Sequence, residues 1–226
     1  MKESKNFIMN EERNWRGQVK YMLNNKGFDL WADDYDKSVG LSDEDGTYPF
    51  AGYKAILNEI YNRVLSAPGR RVLDIGFGTG TLTTKLYEQG CDIFGQDFSG
   101  RMIELAKEKM PTAKLFRGDF SEGLVAPLME HKYDAIIATY SLHHLTDEQK
   151  VRFIAKLHSL LNDRGSIYIG DVAFFTRQDM EKCMVEAGDE WDDEEIYFVF
   201  EEIRQAFPNM EFEQMSSCAG LLALHR

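Results

Sequence analysis

Cysteine is scarce in this chain: three in 226 residues, at Cys91, Cys183 and Cys218, with no metal-type pairing among them. An odd, scattered set fits a reducing compartment better than a disulfide framework, so a cytoplasmic location is expected. Cations are short as well, 26 Lys and Arg against 38 Asp and Glu, for a formal net charge of −12. That balance argues against DNA or RNA as the main partner, because phosphate contacts need clustered basic side chains. No apolar run approaches the ~18–20 residues of a membrane span, and no charged-then-apolar leader is visible, so neither insertion nor secretion is expected. Internal repeats, low-complexity tracts and linkers that would separate two independent domains are missing too. The few cations gather early. Lys2, Lys5, Arg13, Arg16, Lys20 and Lys26 outnumber three acids in residues 1–27, leaving +3 there and −15 on the rest. A solvated tail and an arm for an anionic partner are both open readings.

What is present suits one α/β core. Hydrophobic residues make up 43%, and apolar runs alternate with amphipathic stretches, the pattern of a parallel sheet covered by helices. Strands are predicted at 71–75, 92–97, 113–117, 133–139 and 166–170. Helices are predicted from Thr81 to Gln89, stopped by Gly90, and after Ser99, with Met102, Ile103, Ala106 and Met110 on one face. Thr146 and Gln149 form a capping box for a further helix that Gly165 closes. Residues 186–202 carry nine carboxylates and no Lys or Arg. Ile196, Val199, Phe200, Ile203 and Phe207 recur at helical spacing there, so an amphipathic helix with an acidic face is expected. Two short strands near 211–215 and 220–224 can close the chain as an antiparallel hairpin.

Chemistry starts at the end of the first strand. Gly76, Gly78 and Gly80 alternate with Phe77 and Thr79 in a strand-to-helix turn, where glycine permits positive φ and close ligand approach. The dinucleotide fingerprint would need its third glycine at position 81, which is Thr. Asp74, just inside the turn, is placed to orient a ligand ammonium. Asp97 ends the second strand, where a carboxylate can accept from both hydroxyls of a ribose. Asp119 follows the third strand and can accept from an adenine amino group, while Phe98 and Phe120 offer flat apolar contact or simple core packing. Three such sites at successive strand ends define one crevice.

Taken in order, the segments Val72–Gly80, Gly95–Ser99, Gly118–Phe120 and Tyr140–Leu145 resemble the motifs of class I S-adenosylmethionine-dependent methyltransferases. Phe28–Asp36 is similar to the opening of many small-molecule members, and the resemblance spans about residues 28–225. It implies a Rossmann-like, doubly wound sheet of order 3-2-1-4-5-7-6, mostly parallel with a terminal antiparallel hairpin. It implies S-adenosylmethionine as cofactor, bound by Gly76, Gly78, Gly80, Asp97 and Asp119; Asp74, Phe77, Phe98, Phe120 and Tyr140 are expected beside them. The implied reaction is in-line methyl transfer to a small-molecule acceptor, for which positioning and water exclusion can supply on the order of 7–11 kcal/mol.

His143 and His144 follow the fourth strand near the expected methyl position, where either could deprotonate an acceptor. Alternatively, one packs on the sheet and the other caps a carbonyl. No metal is expected, since neighbouring histidines in an extended segment point to opposite sides and no third ligand has suitable spacing. Trp31, Tyr35, Tyr48, Phe50 and Tyr53 precede the first strand and suggest a helical lid. Residues 1–66 then form the arm and lid, and 67–226 the binding domain, with Tyr35 touching the cofactor or acceptor. Three rivals stay open: a non-catalytic S-adenosylmethionine-binding protein, an NAD(P)-dependent oxidoreductase, and an aminopropyltransferase, the last disfavoured by Tyr140-Ser141 where paired acids are needed.

Overall fold

The structure is a computed structural model that describes residues 46–226, so Trp31 and Tyr35 lie outside the described residues. Helix α1 (Tyr53–Ser66) leads into β1 (Arg71–Ile75), α2 (Thr81–Glu88), β2 (Asp92–Asp97), α3 (Gly100–Lys109) and β3 (Lys114–Arg117). A short α4 (Ala126–Met129) precedes β4 (Tyr133–Thr139), a 3-10 turn (Leu142–His144), α5 (Asp147–Ser159) and a long β5 (Leu161–Phe174). The chain ends through α6 (Arg177–Ala187), a two-residue β6 (Phe198–Val199), α7 (Phe200–Ile203), β7 (Glu211–Gln214) and β8 (Ala219–His225).

The strands form one sheet of order β3-β2-β1-β4-β5-β8-β7, with β6 off this path on β5. With β6 set aside, the last two strands count as sixth and seventh, and the expected order 3-2-1-4-5-7-6 holds. β1 pairs in parallel with β2 and β4, while β8 runs antiparallel to β5 and β7. The central strands are apolar almost without interruption because both faces are covered. Val72, Ile93, Ala135 and Ile137 turn toward α1, α2 and α3, and Leu73, Phe94, Ile136 and Ala138 toward α4 and α5. Helix α1 lies directly on β5: a Cβ at Gly170 would stand 2.2 Å from Ile56 Cγ2.

The helix starts follow local capping. Ser99 accepts from the Met102 amide at α3, and Thr146 with Gln149 makes the reciprocal box at α5. Strand β5 reaches well beyond the expected 166–170, because β4 and β8 pair with it along 161–172. Consequently α5 ends at Ser159, before the expected stop at Gly165.

The acidic segment departs from expectation. Residues 186–207 are not one amphipathic helix. Instead α6 stops at Gly188, whose φ of 53° breaks the helix. Phe198 and Val199 then pair with Ala173 and Phe174 of β5. The 3.6-like recurrence of Val199, Phe200 and Ile203 arises from a strand pair followed by one helical turn, both burying the same side. Lys150 of α5, fully buried, holds the segment down by donating to the Ile196 carbonyl and to Asp147 Oδ1 at 3.1 Å.

Candidate active site

Parallel strands deliver their C-terminal ends to the same side of the sheet, so the loops after β1, β2 and β4 meet. Gly76 and Gly78 both have left-handed backbone, φ 69° and 55°. A Cβ at Gly76 would stand 2.5 Å from the Ser141 Cβ, so no other residue fits between the β1 and β4 loops. A Cβ at Gly78 would meet nothing within 4 Å and would point into open space. The Gly78 amide donates to Asp97 Oδ2 at 2.9 Å, and the Ser99 amide to Asp97 Oδ1 at 2.9 Å. Asp97 is thereby fixed, nearly buried, at the wall of an open crevice.

Asp74 lines the same crevice and is buried. The Thr83 hydroxyl donates to its Oδ2, whereas Oδ1 has no hydrogen-bond partner. Burial pushes its pKa up to about 7; the Thr83 bond opposes the rise and the Asp97 charge adds to it. A buried carboxylate oxygen left without a donor is costly unless a ligand supplies one.

Tyr140 is the one non-glycine with positive φ, 49°, among the described residues. Its ring lies 5.2 Å from both Phe50 and Tyr53, which clamp the strained residue beside the crevice. Strain of this kind costs ~1–3 kcal/mol and concentrates at functional sites.

The crevice thus brings together Asp74, Gly76, Phe77, Gly78, Asp97, Phe98, Phe120, Tyr140 and His144. Three expected residues do not line it. Gly80 faces Met110, whose Cε would lie 2.9 Å from an added Cβ. Asp119 is exposed and accepts from the Ser121 amide at 2.9 Å. His143 turns away from the crevice.

The two histidines have different environments. They sit in a 3-10 turn rather than an extended segment, and their rings are 4.2 Å apart at 69°, not on opposite sides. His143 Nδ1 is 2.6 Å from Asp171 Oδ1, and its Nε2 is 3.5 Å from Glu195 Oε1. Burial alone would lower the His143 pKa, but the Asp171 and Glu195 carboxylates outweigh it and hold the ring up at about 9. Loss of solvent around its ring, then the charge on His143, depresses His144, which lines the crevice. The positive charge resides on His143 and the neutral imidazole faces the ligand side.

Sequence reasoning passed over Asp171 and Glu195. Asp171 was legible as the lone acid in the apolar run Ile167–Phe174. Glu195 was one of nine carboxylates in residues 186–202 and carried no distinguishing signal.

An open α/β sheet with a glycine turn and a buried acid at its switch point defines a nucleotide-type ligand binder. The comparisons narrow this. Residues 72–165 match the family described as Methyltransferase domain. An uncharacterized methyltransferase of Anoxybacillus flavithermus is 41% identical over 160 residues, covering 71% of this chain and 72% of that protein. Another, of Oceanobacillus iheyensis, is 31% identical over 207 residues, covering 87% and 94%. The chain belongs to the methyltransferase family, and its sheet has the Rossmann-like order. Among solved structures, magnesium protoporphyrin IX methyltransferase from Synechocystis PCC 6803 with bound SAH is similar at TM-score 0.64 and 20% identity, covering 92% of this chain and 98% of that one. The plantazolicin methyltransferase in complex with a triazolic desmethylPZN analog and SAH is similar at TM-score 0.58 and 16% identity, covering 92% and 96%.

Proposed function

We propose that the crevice binds S-adenosylmethionine and that the chain transfers its methyl group to a small-molecule acceptor. The observation that carries this reading is the grip of the glycine turn on Asp97, with the unpartnered oxygen of Asp74 in the same crevice. In this reading Asp97 accepts from the ribose hydroxyls, and Asp74 faces the ammonium of the methionine tail. Open space over Gly78 takes the ligand backbone-close, and Phe98 and Phe120 flank the adenine. Asp119 then serves the rim of the adenine site or its turn alone.

The bound cofactor supplies an electrophilic methyl on a sulfonium. The chain's own task is to hold the acceptor in line and keep water out. His144, neutral and turned to the crevice, is the candidate base, and His143 is its charged support. In this reading residues 46–66 cover the ligand, with Tyr53 lining the crevice; the role expected of Tyr35 falls outside the described residues. The two related methyltransferase structures whose names or ligands indicate small-molecule acceptors, and the acidic balance of the chain, both favour a small metabolite. Free, buried Cys91, Cys183 and Cys218 support a cytoplasmic setting, and no helix among the described residues is long and apolar enough to cross a membrane.

Calorimetric titration with S-adenosylmethionine and with NAD tests the ligand. One-site binding of the former and none of the latter is expected; the reverse pattern overturns the reading. Release of S-adenosylhomocysteine with a panel of hydroxyl, amine and thiol acceptors then tests turnover.

A further inference from the structure

His143, His144 and Glu195 bring one potential ligand atom each within 4.8 Å of one another. We propose that these three side chains form a site for a divalent ion of the zinc class at the edge of the crevice. The proposal goes beyond methyl transfer and does not depend on it.

Spacing comes first. Ligand atoms ~2.0–2.2 Å from a tetrahedral ion lie about 3.3–3.5 Å from each other. His143 Nε2 and Glu195 Oε1 are 3.5 Å apart, beyond a good hydrogen bond, which spans ~2.7–3.2 Å, but suited to two atoms sharing one ion. Small rotations of His144, which stands at the surface end of the cluster, complete the set.

Outer partners are already in place. Protein-bound metals typically have each imidazole ligand oriented by a carboxylate on its other nitrogen. Asp171 fills that position, 2.6 Å from His143 Nδ1, leaving Nε2 directed at the cluster; an incoming ion displaces the Nε2 proton of the charged ring to solvent, so uptake releases a proton. Asp171 is itself held by the amides of Leu142 at 3.2 Å and Val172 at 2.8 Å. The Tyr197 hydroxyl donates to Glu195 Oε2 at 2.8 Å, leaving Oε1 for the ion. The two halves of the site come from distant parts of the chain, and the Ile196 amide locks them by donating to the His143 carbonyl at 2.9 Å.

The donor set selects the ion. Two imidazoles and a carboxylate suit Zn²⁺, Fe²⁺ or Mn²⁺, whereas Ca²⁺ and Mg²⁺ prefer all-oxygen shells. Three protein ligands leave a fourth position open. Because His144 also lines the crevice, an ion held there would border it and could take a hydroxyl or thiol in its open position.

Tag-free full chain, stripped with chelator, is titrated with Zn²⁺ by calorimetry and with Co²⁺ by visible absorption. One ion per chain is expected, with the intense d–d bands of a four-coordinate Co²⁺ site. Glu195→Gln, which keeps the shape and removes the charge, is expected to weaken binding at least tenfold. Asp171→Asn should weaken it by about 10–100-fold, as losses of outer partners do. Circular dichroism reports whether each variant is folded; if Glu195→Gln is not, His144→Asn replaces it. Wild-type protein that takes up no Zn²⁺ at millimolar concentration, or a folded variant that binds as well as wild type, overturns the proposal. Neither readout uses turnover, so a negative result leaves the methyl-transfer reading standing. Loss of S-adenosylmethionine binding would likewise leave the metal result standing.

Discussion

Asp74→Asn isolates the energetics of the crevice in the ligand-free protein. The wild-type carboxyl titrates at 3.8 when exposed and at about 7 when folded. Between those values the folded state holds a proton that the unfolded chain has lost, so stability falls as pH rises through this window. Each pH unit costs ~1.4 kcal/mol, which makes the loss on the order of 3 kcal/mol between pH 5 and pH 8. Asparagine does not titrate. It keeps an acceptor for the Thr83 hydroxyl but leaves a buried N–H₂ where Oδ1 had no partner, a roughly pH-independent cost of ~1–3 kcal/mol. The variant is therefore expected to be less stable than wild type at pH 5 and to recover about 3 kcal/mol relative to it by pH 8. Thermal melts should register this as a relative gain of about 6–12 °C for a chain of this size. Other titrating groups, apart from Asp97 whose charge couples to Asp74, are common to both proteins and cancel. S-adenosylmethionine should reverse the pattern: wild-type affinity rises between about pH 6 and 7.5 as the carboxylate forms, while the variant binds weakly and without that slope. Denaturant curves of the two proteins that shift in parallel across the pH range would refute the reasoning, because Asp74 would then not be the titrating group.

Gly76→Ala must adopt left-handed backbone, at ~1–2 kcal/mol, and press its methyl on Ser141, so calorimetry should show at least a tenfold loss of S-adenosylmethionine affinity. His143→Asn leaves Asp171 buried without its charged partner and is expected to cost about 3–5 kcal/mol in denaturant unfolding. His144→Asn changes an exposed side chain, so stability should stay within about 1 kcal/mol while S-adenosylhomocysteine release slows. Lys150→Met removes the donor to the Ile196 carbonyl; hydrogen exchange at residues 191–197 should quicken while amides in β1 and β4 stay protected.

The alternation of buried strands and amphipathic helices was legible along 71–170, because periodicity and capping are local properties. Asp147 starts α5 where Thr146 and Gln149 close their box, and β4 reads as apolar because both its faces are covered. The glycine turn and Asp97 were legible for a similar reason. Left-handed backbone needs glycine, and a strand end in a parallel sheet has only one place to be. The acidic segment was misread because its recurrence at 199, 200 and 203 fits a helix as well as a strand pair followed by one turn. Only the edge of β5, open to Phe198 and Val199, decides between them.

The composition and motif order of this chain determined by themselves a doubly wound sheet with a crevice opening at the tips of its first and second strands. Only the tertiary structure assigned charge to His143 and neutrality to His144, and withdrew Asp119 from the crevice lining. It also carried Glu195 across from a distant loop. Those outcomes depend on burial and on partners far away in sequence, Asp171 28 residues from His143 and Ile196 46 from Lys150, and no local pattern encodes a neighbour that the fold has yet to bring near.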